Sequence, residues 1–285
     1  LANKQKLLID FCGGIDHAVA LWYALQAPEV EVVGVGCSDT DMERGSSLVK
    51  RLIALTQLDS EIPVATGASQ SLFGLPEDAH AAAHLLVEKA NEYKGELTVV
   101  TLGSLTNLAK AVAIDPRIPE KLKQVVVQGG AIRVPGNATA IAETNLHADP
   151  EAAAFVWAAG LPLLLVPLDA TDHLRLSQEE SQGILSKAVA LGITKAPEEK
   201  GEPSLQDGTG LDASGAMIAA LHPELIHKQQ MKLTIECHST LSRGAVLADL
   251  RAKPSVGIDT EVVVGIDVEA FRQWLRGISD KEGSL

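Results

Sequence analysis

Aromatic residues are scarce. Phe, Tyr and Trp make up 3% of the 285 residues, so a core has to be built from Ala, Leu, Val and Ile. Cysteine is almost absent too: Cys12, Cys37 and Cys237 are an odd number in a long chain, which implies no disulfide framework and suits a reducing compartment. Basic residues are outnumbered, 24 Lys and Arg against 37 Asp and Glu, for a net charge of −13. Such a chain repels nucleic-acid phosphates, while uncharged small molecules are not repelled. There is no apolar run long enough to cross a bilayer, no signal-peptide pattern ahead of the first strand, no internal repeat and no low-complexity tract. The expectation is a soluble cytoplasmic protein with no nucleic-acid or membrane partner.

What is present is a 46% hydrophobic chain in which strands and helices alternate. Leu7–Ile9, Glu31–Cys37, Ile62–Ala65, Leu97–Leu102, Val125–Val127 and Leu163–Pro167 read as strands. Met42–Thr56, Asp78–Glu92, Leu105–Ile114 and a segment opened by Asp149-Pro150 read as helices, with Asp39–Asp41 as a cap. That alternation predicts βαβ units and an open, mainly parallel, Rossmann-like α/β sheet in a single domain, residues 1–285. Beyond residue 170 the pattern loosens. Ser177–Leu191 reads as a helix, Lys195–Gly210 as an exposed segment and Leu211–Leu221 as a small-residue helix. Leu233–Cys237, Ala245–Asp249 and Glu261–Ile266 form a small late β patch, and Asp267 caps a final helix.

Two stretches carry chemistry. In Leu7–Leu25 an apolar strand is broken by Gly13-Gly14, and a helical period follows from Ile15. Asp10, Cys12, Asp16 and His17 therefore gather at a strand's carboxyl end, where open α/β sheets bind ligands. The cluster suits a metal, a ribose or a nucleophile; equally, Asp10 or Asp16 caps a helix and Cys12 packs as a small apolar residue. In Gly136–Pro150, Asn137, Glu143 and Asn145 put amides and a carboxylate into one loop, groups able to hold sugar hydroxyls or simply to make a polar loop.

These stretches resemble the inosine-uridine preferring nucleoside hydrolases. Asp10 to Ala18 aligns with that family's D-x-D-P-G-x-D-D-A, and Gly136 to Pro150 fits G-N-x-T-x-x-A-E-x-N-x-x-x-D-P. Leu102–Asn107, Ile62–Gly67 and Pro167–Thr171 match further segments, so that the likeness spans about residues 6 to 225. It implies hydrolysis of a ribonucleoside's N-glycosidic bond, with Asp16, Asn137, Glu143 and Asn145 on the ribose. It also implies calcium near Asp10, Cys12, His17 and the Leu102 carbonyl, and a homodimer or homotetramer. Counting back from Pro223 without a gap aligns Asp212 with the family's His and Ala213 with its Asp, whereas a one-residue shift puts Asp212 at that Asp and Leu211 at the His; the ungapped count also matches Ala216, and Asp10, Cys12 and Asp212 are the candidate catalytic residues.

The departures weaken the calcium site. Cys12 and His17 stand where the family has Asp, and Ala213 falls at a third Asp. Calcium needs hard oxygens, so weak or absent calcium binding is expected. Three readings follow: a ribose- or nucleoside-binding homologue with little or no turnover; a rebuilt Cys/His site using zinc or a thiolate; or a hydrolase that tolerates the changes. The family's H-G-x-D-G segment has no counterpart after Gly67, so base preference does not carry over. His80, His84 and His147 are alternative acids, with His80 and His84 better read as the solvent side of one helix.

Overall fold

The computed structural model describes residues 4–38, 42–56, 61–67, 71–74, 80–175, 177, 180 and 210–279. The Asp39–Asp41 cap and nearly all of the 177–191 helix and 195–210 segment lie outside them. Leu7, Leu8 and Ile9 are buried on both faces of β1 (Gln5–Phe11), as the central strand of a parallel sheet requires. β1 is flanked by β2 (Val30–Cys37) and β4 (Leu97–Thr101), and Asp10 is in register with Gly36 and Thr101. β3 (Val64–Thr66) lies outside β2. On the other side follow β5 (Leu122–Gln128) and β6 (Leu163–Val166), all parallel.

The late strands do not form a separate patch. β9 (Ile258–Ile266) pairs in parallel with β6, while β7 (Ile226–Ile235) runs antiparallel to β9 and carries β8 (Val246–Ala248) at the edge. The result is one nine-stranded sheet, ordered β3-β2-β1-β4-β5-β6-β9-β7-β8.

Helices cover both faces. The layer holding α1 (Ile15–Gln26), α2 (Met42–Leu55) and α8 (Asp212–Leu221) packs Trp22, Leu21, Leu52 and Met217 against the sheet. The other layer, with α3 (Ala81–Glu92), α4 (Thr106–Ile114) and α6 (Pro150–Ala158), buries Leu86, Leu108, Val156 and Trp157. Short α7 (Leu168–Thr171) follows β6, and α9 (Val268–Ser279) closes the described chain, its first turn capped by Asp267, which accepts from the Ala270 amide at 3.0 Å. The expected loop from Ile132 to Leu146 is interrupted: Glu143 caps a one-turn helix, α5 (Thr144–Ala148). Five residues are too few to show a helical period.

These packing rules bring the carboxyl ends of β1, β2, β4, β5 and β6 to one rim. The turn between β1 and α1 uses Gly13 and Gly14 at φ 79° and 88°, a conformation side chains other than glycine rarely adopt.

Candidate active site

At the rim, Asp10 is 2% exposed. Its Oδ1 accepts from the Asn107 amide at 2.9 Å, and its Oδ2 has no hydrogen-bond partner within normal reach among the described residues. Burial raises its pKa to about 7, against the lowering pull of Asn107 and Ser38. Asp10 therefore faces inward, toward α4. Cys12 is half-buried and lies tight against Gly103, where any Cβ would sit 2.5 Å from the Cys12 Cβ. The His17 ring stands edge-on to Phe11, centroids 6.0 Å apart.

Asp16 does cap a helix, but not its own. Its Oδ2 accepts from the Ala213 amide at 2.6 Å, and its Oδ1 from the Ser214 amide at 3.1 Å and the Ser214 hydroxyl at 2.5 Å. The positive end of α8 thus rests on a carboxylate supplied 197 residues away. Burial lifts Asp16 to a pKa of about 7, and the nearby charge of Asp212 adds to the rise. Asp212 opens α8, and its Oδ1 accepts from the Thr171 hydroxyl at 2.5 Å; burial pushes its carboxyl up as well.

The 136–150 stretch folds onto itself. Asn137 is exposed, and its Oδ1 accepts from the Thr144 amide and hydroxyl at 2.8 and 3.0 Å. Glu143 is buried; its Oε2 takes the amides of Gly130, Asn145 and Leu146 at 2.9, 3.0 and 3.3 Å, and burial lifts its pKa to about 6. Asn145 bridges two strand ends. Its Nδ2 donates to the Leu102 carbonyl at 3.2 Å, to the Gln128 carbonyl at 3.1 Å and to Gln128 Oε1 at 2.7 Å. Three surrounding oxygens fix which way this amide points. The Asn145 side-chain carbonyl is left as an acceptor.

A cleft of about 400 Å³ opens beside these groups, lined by Val134, Pro135, Asn137, Leu168, Arg175 and Asp212 among others. That is enough for a small molecule. Of the sequence-predicted residues, Asn137 and Asp212 line it. Asp16 and Glu143 are not among its lining residues, and the charge of Asp212 raises the carboxyl of each. His84 is exposed on α3, and His80 precedes that helix. His147 bonds the Arg243 carbonyl at 3.0 Å.

The family model for inosine-uridine preferring nucleoside hydrolases matches residues 7–273. The chain belongs to this family. Among curated relatives, uridine nucleosidase 1 of Arabidopsis thaliana is 34% identical over 209 residues, covering 63% of this chain and 61% of that protein. The chain thus spans about three-fifths of that plant protein. A pyrimidine-specific ribonucleoside hydrolase of a Shewanella strain is 29% identical over 94% of both chains. A solved plant nucleoside hydrolase superposes with TM-score 0.80 at 26% identity, covering 95% of this chain and 97% of the other. The Bacillus anthracis enzyme, at 23% identity and TM-score 0.78, shares the fold.

Nucleoside hydrolases are calcium-dependent, and the residues here do not fit that ion. Cys12 offers a soft thiol, His17 an imidazole turned onto Phe11, and Ala213 no donor. The Leu102 carbonyl already accepts from Asn145. Zinc fares no better: among the described residues no three His, Cys, Asp or Glu side chains converge on a metal position.

Sequence reasoning did not single out Thr171, Ser214, Gln128, Asn107 and Arg175, which bond to or line this rim. Only Asn107 and Thr171 had a signal, lying in the matched segments at Leu102–Asn107 and Pro167–Thr171. The Asn145 bridge has a measurable weight. Asn145→Ala leaves three oxygens without their donor and is expected to cost about 3 kcal/mol by urea denaturation. Asn145→Asp is expected to cost more, because a carboxylate then faces those oxygens. An Asn145→Asp variant as stable as the parent contradicts this.

Proposed function

We propose that this chain is a nucleoside-binding member of the nucleoside hydrolase family in which calcium-dependent hydrolysis is weak or lost. The observation that carries the reading is the absence of carboxylates at positions 12, 17 and 213, where the family resemblance puts hard oxygen donors. The Leu102 carbonyl, which the resemblance also assigns to the ion, accepts from the Asn145 amide and keeps one lone pair. With neither the ion nor a carboxylate at position 12, the family's means of activating water are gone, and Asp10 is buried away from the cleft opening.

Binding rests on what remains. Asn137 and Asp212 offer polar contacts in the cleft, and Val134, Pro135 and Leu168 an apolar lining for a flat ring. Asp16 and Glu143 hold the cleft in shape through α8 and α5, and either has further lone pairs for a ribose hydroxyl. Cys12 packs on Gly103 and the His17 ring stands edge-on to Phe11, which supports the nucleoside-binding reading over a rebuilt thiolate site. In the same reading the protein is a homodimer or homotetramer of the cytoplasm. Among the described residues no helix is long and apolar enough to cross a membrane.

Relatives named for uridine and pyrimidine ribonucleosides make uridine the first ligand to test. In chelator-treated protein, millimolar uridine, inosine or ribose should raise the melting temperature by about 2 °C or more. Free base should appear at below roughly 0.01 per second, against a median enzyme turnover near 10 per second, with no stimulation by calcium. Calcium-stimulated release at about 1 per second or faster overturns the reading.

A further inference from the structure

One segment beside the cleft is too short to stand alone. α5 has five residues, and a single helical turn fixes more backbone freedom than its hydrogen bond offsets. The bond that closes this turn runs from the His147 amide to the Glu143 carbonyl at 2.9 Å. Its first residue, Thr144, holds the cleft residue Asn137 through both its amide and its hydroxyl. Whatever keeps the turn wound therefore keeps Asn137 in place.

The connection between β7 and β8, residues 236–245, grips the other end of that turn. His147 Nδ1 donates to the Arg243 carbonyl at 3.0 Å. Gly244, at φ 83°, lies directly on the His147 backbone: a Cβ there would sit 2.6 Å from the His147 Cα. The Arg243 guanidinium forks onto Glu151 in the first turn of α6, Nη1 to Oε1 at 2.5 Å and Nη2 to Oε2 at 2.6 Å, and Nη1 also donates to the Cys237 carbonyl at 2.6 Å. The Cys237 thiol reaches the Pro150 carbonyl at 3.4 Å. The connection is itself braced. Glu236 Oε1 accepts from the His238 and Ser239 amides at 2.6 and 3.0 Å, and the Glu236 carbonyl accepts from the Gly244 amide at 2.7 Å. A braced clamp seated on both α6 and His147 opposes the unwinding of α5.

We propose that Arg243 is a positioning residue for nucleoside binding: its fork on Glu151 seats the β7–β8 connection on His147, keeps α5 wound and so sets Asn137 in the cleft. Arg243 is not among the cleft's lining residues and acts through α5. The proposal rests on the reading of the cleft as a nucleoside site.

The test pairs amide hydrogen exchange with calorimetric titration of uridine, both on the full chain. In Arg243→Gln the amides of Leu146 and His147 are expected to exchange at least about tenfold faster than in the parent, with those of β1 unchanged. The uridine dissociation constant should rise about tenfold, as the binding-competent fraction falls. Glu151→Gln breaks the same fork from α6 and should do the same, and adding it to Arg243→Gln should change little more. Arg243→Lys keeps the charge without the fork and should fall between parent and Arg243→Gln. A merely structural fork would lower the melting temperature of these variants and leave uridine affinity as it was. That result, or unchanged exchange at Leu146 and His147, overturns the inference while nucleoside binding stands. If the parent binds neither uridine, inosine nor ribose, the nucleoside reading falls and the positioning role falls with it.

Discussion

A chain carrying Cys12→Asp, His17→Asp and Ala213→Asp together is expected to bind calcium at least about a hundredfold more tightly than the parent. The three substitutions return hard oxygen donors to the positions where the family resemblance puts them, around a Leu102 carbonyl with a second lone pair beyond the one Asn145 uses. The same change carries a cost. Ala213 is fully buried, and Asp10 and Asp16 already hold raised carboxyls nearby. Three more carboxylates without a counter-ion should lower the melting temperature in chelator. Calcium at a hundred times its dissociation constant then restores about 2.7 kcal/mol, or roughly 5 to 10 °C for a chain of this length. Scanning calorimetry with and without calcium reads both halves. A triple variant indifferent to calcium shows that the ion's place has been lost through the backbone and the Asn145 bridge, and not through the three side chains.

Acidification is expected to stabilise the parent. Asp10 and Asp16 have folded pKa values of about 7 and Glu143 about 6, all raised by burial, against 3.8 and 4.5 for the ordinary groups. The folded state therefore holds these protons more tightly than the unfolded state. Their contribution is fully present below about pH 4 and is lost as pH rises through 6 to 7. Asp115 and Glu151 are shifted the other way by Lys121 and Arg243, but they titrate below pH 4.5 near the surface and act outside this window. The melting temperature should fall by about 4 °C or more between pH 5.5 and pH 8. Asp10→Asn should flatten that slope. A flat or rising profile in the parent contradicts the burial of these carboxyls.

Much of the scaffold was legible because its signals are local. The apolar run at Leu7–Ile9, the Gly13-Gly14 break and the helical spacing from Ile15 lie within one short window, and the structure repeats them as β1, turn and α1. The Gly136–Pro150 stretch was legible as a polar motif, and it does contain the capping carboxylate and the bridging amide. What was not legible is action at a distance. Asp16 looked like a ligand or a cap for its own helix, and it caps α8 instead. Asp149 does begin α6, yet it also accepts from the Leu72 amide and the Thr106 hydroxyl, both at 2.6 Å, and ties three elements together. β9 slips in beside β6 because a strand's partner leaves no periodic trace in either strand. The Asn145–Leu102 bond joins residues 43 apart by a side chain and a backbone carbonyl, a pairing no spacing rule encodes.

The most direct measurement is a calcium titration of the chelator-treated parent by isothermal calorimetry. With thiol, imidazole and methyl groups at positions 12, 17 and 213, no saturable heat is expected below about 1 mM calcium. One-to-one binding at about 10 μM or tighter, lost on Cys12→Ala or on disruption of the Leu102 region, would show that an ion still occupies this rim and that hydrogen bonds have not replaced it.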